Sequence, residues 1–347
     1  MATERLISPT AAVPEEEQIN WSLRPTRISD YVGQTDLIER LRIAIQAGKG
    51  RGDPMEHVLL HGPPGLGKTT LAHVIANEMG SKVYVTSGPA LSRPTDLVAS
   101  LKRLGRGDVL FIDEIHRLPV AVEEFIYPAM EDFRIDVLLD SGLHAQTVQI
   151  TCEPFTLIGA TTRAGLLSSP LRSRFGIAHH LHYYTPHELL VILRRSCTLL
   201  GVRCAGDEPL GAIAGRSRGT PRIANRLLRR VRDYAQVKSD GSVTGAIVEA
   251  ALKLEAVDAL GLDELDRSYL RTIAGVYEGG PVGLEAVAAT MNEDAGTLED
   301  VIEPYLLQIG FLARTRRGRM LTRAAAEHLG VKWTPKDMPQ RDLFDGG

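Results

Sequence analysis

Val58-Leu59-Leu60-His61-Gly62-Pro63-Pro64-Gly65-Leu66-Gly67-Lys68-Thr69-Thr70 is the stretch on which the reading of this chain turns. Its first residues form a short apolar run bounded by glycine and proline, and Leu71 to Met79 continues with helical spacing. Between them, Gly62 to Thr69 satisfies GxxxxGK[ST] in the strand, loop, helix context that the motif requires. Gly65 and Gly67 let backbone N–H groups close on a polyphosphate, and the following helix adds the positive end of its dipole. Lys68 would neutralise β and γ oxygens, and Thr69 would offer its hydroxyl to Mg²⁺. The phosphate-binding run is therefore Gly65, Leu66, Gly67, Lys68, Thr69 and Thr70.

Working outward, three more β-rich runs follow: Lys82 to Val85, Val109 to Ile112 and Phe155 to Ile158. They alternate with helical periodicity, which implies crossover helices around a parallel sheet and an α/β fold. The run at Val109 delivers Asp113-Glu114 to a strand's carboxyl end, where ligands gather in open α/β sheets. Asp113 would hold Mg²⁺ through water, and Glu114, aimed differently, would polarise an attacking water as general base. Metal and base together imply hydrolysis. His116 stays open between a relay role and a loop histidine with a structural hydrogen bond.

From Thr185 the strand signals stop. Leu189, Ile192 and Leu193, then Ile223, Leu227 and Val231, keep helical spacing. Arg216, Arg218, Arg222, Arg226, Arg229, Arg230 and Arg232 read as a basic helix face, either solvated or a nucleic-acid patch. A third part has short helical stretches, an Arg/Gly-rich segment between apolar residues, and a last helix near Ala324 to Leu329, an order that suggests a winged helix. The expected domains are thus 1–184, α/β with a parallel sheet, 185–257, an all-α lid, and 258–335, a winged helix. Disorder is expected up to about residue 17 and in a tail at 336–347.

Composition sets the outer bounds. The 347 residues are 44% hydrophobic and 24% charged, which excludes collagen-like, wholly disordered and coiled-coil chains. A net charge of −3 does not advertise a nucleic-acid binder, so local clusters must carry that argument. Cys152, Cys197 and Cys204 are odd in number and lack metal-ligand spacing, which fits a reducing cytoplasm. No run of 18 apolar residues and no export signal is visible, so no membrane association is expected.

In the third part, Leu298, Val301, Ile302, Tyr305, Leu306 and Ile309 make one apolar helical stripe, with Thr297 as its expected cap and Pro304 expected to kink or shorten its first turns. Glu299, Asp300 and Glu303 are expected on its exposed face, where they would repel phosphates and prevent base reading. Arg314, Arg316, Arg317 and Arg319 instead cluster about Gly318 in the wing, where they would hold duplex DNA by its backbone, independently of sequence.

With Asp113-Glu114-Ile115-His116, Gly159-Ala160-Thr161-Thr162-Arg163 and Gly219-Thr220-Pro221-Arg222 following the phosphate loop, the chain resembles AAA+ ATPases. Leu23-Arg24-Pro25, Tyr31-Val32-Gly33-Gln34, Tyr127-Pro128-Ala129-Met130-Glu131-Asp132, Arg222-Ile223-Ala224-Asn225-Arg226 and Gly318-Arg319-Met320 narrow the resemblance to the RuvB family of Holliday junction branch migration motors. The resemblance covers nearly the whole chain and implies ATP and Mg²⁺ as cofactors. It places Thr162 as the sensor of the γ-phosphate and Arg174 as the finger inserted into a neighbour's site, with Arg172 the rival for that role. Arg222 becomes the sensor carried by the lid. Leu23, Arg24, Tyr31, Val32 and Tyr184 would enclose the adenosine, and Glu131, Asp132 and Phe133 complete the nucleotide set. The resemblance also implies a homohexamer acting on the duplex arms of four-way junctions. RuvA would dock on a β-hairpin at 133–150 that turns near Ser141-Gly142, and RuvC would join in a resolving complex. The alternative is a nucleotide-gated winged-helix regulator, which the acidic helix disfavours.

Overall fold

The computed structural model describes residues 21–138 and 147–332. The expected disorder at both ends and the Ser141-Gly142 turn lie outside these residues. Two compact units emerge, one ending at Val243 and the other beginning at Thr244, so the division falls inside the stretch expected as a lid.

The first unit is built on a five-stranded parallel sheet of β1 (Val58–His61), β2 (Val83–Ser87), β3 (Val109–Asp113), β6 (Thr156–Thr161) and β7 (Ile177–His180), in the order β2-β3-β6-β1-β7. Every residue of β6 is buried, as are Val58 to Leu60 of β1 and Val109 to Ile112 of β3. A parallel sheet covered on both faces demands such unbroken apolar runs. The fifth strand, β7, is absent from the sequence reading. It is an edge strand with alternate residues half-buried, and its second half is His179-His180, so no apolar run marks it.

Helices α1 (Thr35–Arg51), α2 (Lys68–Met79), α3 (Pro94–Leu101), α4 (Val120–Asp132) and α5 (Ser169–Ser173) connect and flank the sheet. Leu59, Leu97, Leu110, Ile112, Ile126, Phe155 and Leu157 belong to the core beneath them. Between α4 and β6, the strands β4 (Arg134–Leu138) and β5 (Thr147–Thr151) pair antiparallel, with Arg134 opposite Thr151 and Leu138 opposite Thr147. These are the two arms of the hairpin expected at 133–150.

Beyond β7 the chain is helical: α6 (Pro186–Leu200), α7 (Asp207–Gly215) and α8 (Pro221–Lys238). A capping box starts α6, the Thr185 hydroxyl accepting from Glu188 N while the Glu188 carboxylate accepts from Thr185 N. The pair β8 (Arg203–Cys204) and β9 (Ser242–Val243) closes this helical part.

The second unit contains α9 (Gly245–Leu254), α10 (Glu264–Gly275), α11 (Leu284–Met291), a turn of α-helix at Ala295–Thr297, a π-helical turn at Leu298–Ile302, α12 (Glu303–Gln308), the antiparallel pair β10 (Leu312–Thr315) and β11 (Gly318–Leu321), and α13 (Arg323–Leu329). Its core gathers Tyr269, Leu270, Ile273, Val287, Leu298, Ile302, Leu306 and Leu312. One expectation needs correction. Thr297 caps nothing; it lies inside the helical run, and Asp294 accepts from Thr297 N at 2.9 Å. Pro304 sits in the first turn of α12, a helix of six residues that starts directly after the π turn, so the helical run is interrupted and shortened ahead of it as expected. Proline cannot donate to the carbonyl four residues back, and a widened turn ahead of it accommodates the missing bond. Among the described residues no helix is long and apolar enough to cross a membrane.

Candidate functional site

The carboxyl ends of β1 and β6 lie level, His61 beside Thr161, and Gly62 N donates to Thr161 O at 3.1 Å. This alignment sets the phosphate loop beside the ends of β3 and β6. Gly65 and Gly67 take φ of +81° and +97°, in the left-handed region that favours glycine. A Cβ on Gly67 would stand 2.8 Å from the Tyr31 hydroxyl, so glycine is required there for space as well. Lys68 opens α2 and is only 8% exposed, its ammonium donating to Gly62 O and Pro63 O, both at 2.8 Å. Burial pulls its pKa down to about 8, partly offset by the charge of Asp113. The ammonium is thus already aimed into the loop and held there by carbonyls that a phosphate oxygen can replace.

At the end of β3, Asp113 Oδ1 accepts from Glu114 N at 2.9 Å, and Glu114 takes a left-handed φ of +47°. Its carboxylate points to the Arg117 guanidinium, 2.8 Å away on an exposed surface. Thr162 lies exposed just beyond β6. Its neighbour Thr161, 1% exposed, shares a 2.9 Å hydrogen bond with His116 Nδ1 and accepts from Arg163 N at 2.9 Å. The His116 ring therefore ties the loop after β3 to the end of β6, the structural hydrogen bond that the sequence left open beside a relay role.

On the opposite side of the loop, Tyr184 donates to the Tyr31 hydroxyl at 3.0 Å, and Leu23 is 5% exposed. Burial raises the pKa of both phenols, Tyr184 to about 12, so both stay neutral. Val32 is half-buried beside Tyr31. Arg24 lies over the Trp21 ring at 4.0 Å, and its carbonyl accepts from Arg195 of α6 at 3.0 Å. Gln34 clamps the peptide at His182, donating to His182 O at 2.7 Å and accepting from His182 N at 3.1 Å. Sequence reasoning quoted Gln34 only within a motif and did not single out Arg195, since both work through backbone groups distant in the chain. Above the loop stands the start of α8: a Cβ on Gly65 would meet the Cβ atoms of Arg222 and Thr220 at 3.4 and 3.7 Å.

The expected solvated arginine face of α8 is wrong in part. Arg226 and Arg229 are 7% and 5% exposed, Arg218 before the helix is 4% exposed, and all three are engaged within the protein. Long aliphatic stems pack well under a helix, so arginine spacing alone does not define a wet face.

Arg174 sits elsewhere. It donates to Pro170 O at 2.8 Å, pairs with Glu131 at 3.2 Å and covers the Tyr127 ring at 4.3 Å. Three residues later β7 begins, Ile177 N donating to His57 O at 3.2 Å, and His57 Nε2 contacts Met130 O at 3.0 Å. Arg174 and Glu131 thus cluster at the amino edge of the sheet, whereas the phosphate loop leaves its carboxyl edge. Asp132 and Phe133 end α4 on that same side, Phe133 packing on Phe155. Arg172 is exposed, and its charge reaches His61 at the other edge.

In the second unit, Arg314 and Arg319 face each other across β10 and β11, and Arg316 and Arg317 are exposed at the tip. The acids expected on the open face of the preceding helix are not there. Glu303 is fully buried, Glu299 and Asp300 are half-buried, and Glu303 is bonded to both Arg314 and Arg319. The π turn shifts the helical phase at this point and carries Glu303 inward.

A phosphate loop, an acidic pair at a neighbouring strand end and a lid helix over the loop define a P-loop nucleotide hydrolase of the AAA+ type with an appended winged helix. Family models place it further. Residues 23–181 match the Holliday junction DNA helicase RuvB P-loop domain, 184–258 the RuvB AAA lid domain, and 259–330 the RuvB C-terminal winged helix domain. The Thermotoga maritima RuvB Holliday junction branch migration motor is 51% identical, over 90% of this chain and 100% of that one, with a TM-score of 0.83. A mutant of the same protein gives 51% identity, 90% and 99% coverage, and 0.83. The chain belongs to the RuvB family, the ATP-driven motors of Holliday junction branch migration.

Proposed function

We propose that each ATP site of this motor is completed by Arg174 of an adjacent copy, and that the chain therefore works as a closed homohexamer pulling the duplex arms of a four-way junction. The observation that carries this reading is that Arg174 pairs with Glu131 at the end of α4, next to Met130 whose carbonyl meets His57 ahead of β1, whereas the phosphate loop follows β1. An arginine at the amino edge does not serve its own loop but is free to serve a neighbour's. Glu131, Asp132 and Phe133 join the nucleotide set in the same sense, from the donating side. Within a subunit, Lys68 draws in the polyphosphate, Glu114 takes the proton of the attacking water, Thr162 orients that water, and Arg222 reports phosphate state to the lid. Leu23, Arg24, Tyr31, Val32 and Tyr184 hold the adenosine.

Mg²⁺ fits the oxygen donors of Thr69 and Asp113, hard ligands suited to that ion. The described residues contain no group of three or more His, Cys, Asp or Glu able to hold a metal, so the phosphates and water would supply the remaining ligands. Held by Thr69 and Asp113, the ion would supply neutralisation of the polyphosphate's charge. The wing arginines grip the duplex backbone, RuvA docks on the hairpin at 133–150, RuvC joins the assembly, and the complex operates in the cytoplasm. The test is ATP-dependent conversion of a synthetic four-way junction to duplexes, with and without RuvA. Conversion that proceeds unaltered with Glu114→Gln would overturn the assignment of the base.

A further inference from the structure

Two arginines directly opposite on antiparallel strands repel each other, and such a pair ordinarily destabilises a hairpin. Arg314 and Arg319 are such a pair in the β10–β11 register. What reconciles them is one carboxylate. Glu303, at the start of α12, accepts from Arg314 Nε at 2.7 Å and from Arg314 Nη2 on one oxygen, and from Arg319 Nε at 2.9 Å on the other. Tyr269 of α10, itself fully buried, donates its hydroxyl to the same carboxylate at 2.5 Å. Glu299 adds a looser contact, 3.5 Å from Arg319 Nη2 and 3.8 Å from Arg314 Nη2. Burial alone would push the Glu303 pKa up, but the bonds from Arg319, Tyr269 and Arg314 outweigh it and hold the group below the ordinary carboxylate range.

These bonds engage Nε and Nη2 of both guanidiniums and leave the Nη1 edges outside the carboxylate's hold. Arg314 keeps 43% of its side chain exposed and Arg319 keeps 18%. A free arginine loses much rotamer freedom when it grips a phosphate, whereas a guanidinium already fixed in a planar fork loses less. We propose that Glu303 is a positioning residue for DNA: it pins Arg314 and Arg319 side by side so that they present a preorganised pair of donors to the duplex backbone. The proposal rests on the reading of the wing as the DNA-binding surface. It assigns a role to a buried acid that touches no DNA, and to Tyr269 as the group that holds that acid in place.

The sign of the effect makes this testable. Glu303→Gln removes one negative charge beside the DNA, so if Glu303 acted only as a counter-charge the variant would bind duplex more tightly, with a steeper log–log salt dependence. Positioning predicts the reverse: about tenfold weaker binding, and a slope shallower by roughly 0.9 for each phosphate that is no longer neutralised. Tyr269→Phe leaves the charge alone and should weaken binding in the same direction by a smaller factor. Fluorescence anisotropy with a duplex of random sequence, across a salt series, reads both, at a temperature where circular dichroism shows each variant folded. Should Glu303→Gln not fold, Tyr269→Phe carries the test. Binding at or above the unaltered level in the folded variants overturns the proposal. Arg316→Ala with Arg317→Ala, at the tip and outside this cluster, separates the two readings. If that pair weakens DNA binding while Glu303→Gln and Tyr269→Phe do not, positioning alone fails. If Arg314→Ala with Arg319→Ala binds duplex as before with an unchanged slope, the wing reading fails and the proposal falls with it.

Discussion

Glu114 and Glu303 are both acids next to an arginine, yet the consequences differ with burial. The Glu114–Arg117 pair is exposed, 46% and 56%, and an ion pair of that kind is worth no more than about 1 kcal/mol, so it yields easily when a nucleotide and water enter. Glu114→Gln should therefore leave ATP affinity near its unaltered value while slowing hydrolysis by roughly 10²- to 10⁴-fold, the range a general base supplies. Single-turnover kinetics beside equilibrium nucleotide binding would separate the two, and unchanged turnover would remove Glu114 from the role. Glu303 is buried, and its depressed pKa ties folding to pH. A carboxyl whose folded pKa is lowered stabilises fully above its unfolded value, about 4.3 for Glu, and that contribution is lost as pH falls through the folded value. Thermal unfolding should accordingly shift to lower temperature below about pH 4.3, and Glu303→Gln should flatten that dependence. A variant profile parallel to the unaltered one would place the proton uptake on other groups. Sequence made Glu114 legible, because strand and acid adjoin in the chain. Glu303 was misread because its burial follows from a π turn and from partners 11, 16 and 34 residues away.

At the scale of elements, the phosphate loop with its strand and helix could be read in full, since every determinant is local. β7 could not, because an edge strand ending in two histidines carries no apolar signature. The wing lies between these extremes. Its arginines announce it, but its geometry depends on Gly318, whose φ is +133° and where a Cβ would stand 2.3 Å from Val282 O, too close for any side chain. Backbone cannot swing aside as a side chain tip can. Gly318→Ala should thus destabilise the second unit by about 1–3 kcal/mol, the scale of one strained backbone residue, or more where the clash forces β11 away from Val282. Gly310→Ala is the control. Its φ is also positive, +71°, but nothing lies within 4 Å of the added atom, so it should incur only the conformational cost of about 1 kcal/mol. Chemical denaturation that ranks the two equally would mean that the backbone at Val282 relaxes freely.

For the whole molecule, the decisive feature is that the phosphate loop and Arg174 occupy opposite edges of one sheet. Motif spacing announced both residues but not this separation, which arises from the parallel course of β1 and β7 and from the contact of His57 with α4. If the finger acts between subunits, two dead variants must revive each other. Glu114→Gln subunits bind ATP and still extend Arg174; Arg174→Ala subunits retain an intact base and lack only the finger. Wherever the former lends its finger to the latter, a complete site forms. In an equal, random mixture roughly a quarter of the head-to-tail interfaces in a closed ring have that arrangement. ATP hydrolysis per site should then recover toward about a quarter of the unaltered rate, from a background depressed by roughly 10³- to 10⁵-fold for the missing finger. A finger acting within its own subunit gives no recovery at any mixing ratio. Recovery should also rise with protein concentration as interfaces form, and disappear where dilution leaves monomers. A mixture as inactive as its parts, under conditions where sedimentation shows mixed assemblies, would confine Arg174 to its own chain and remove the reason for a ring.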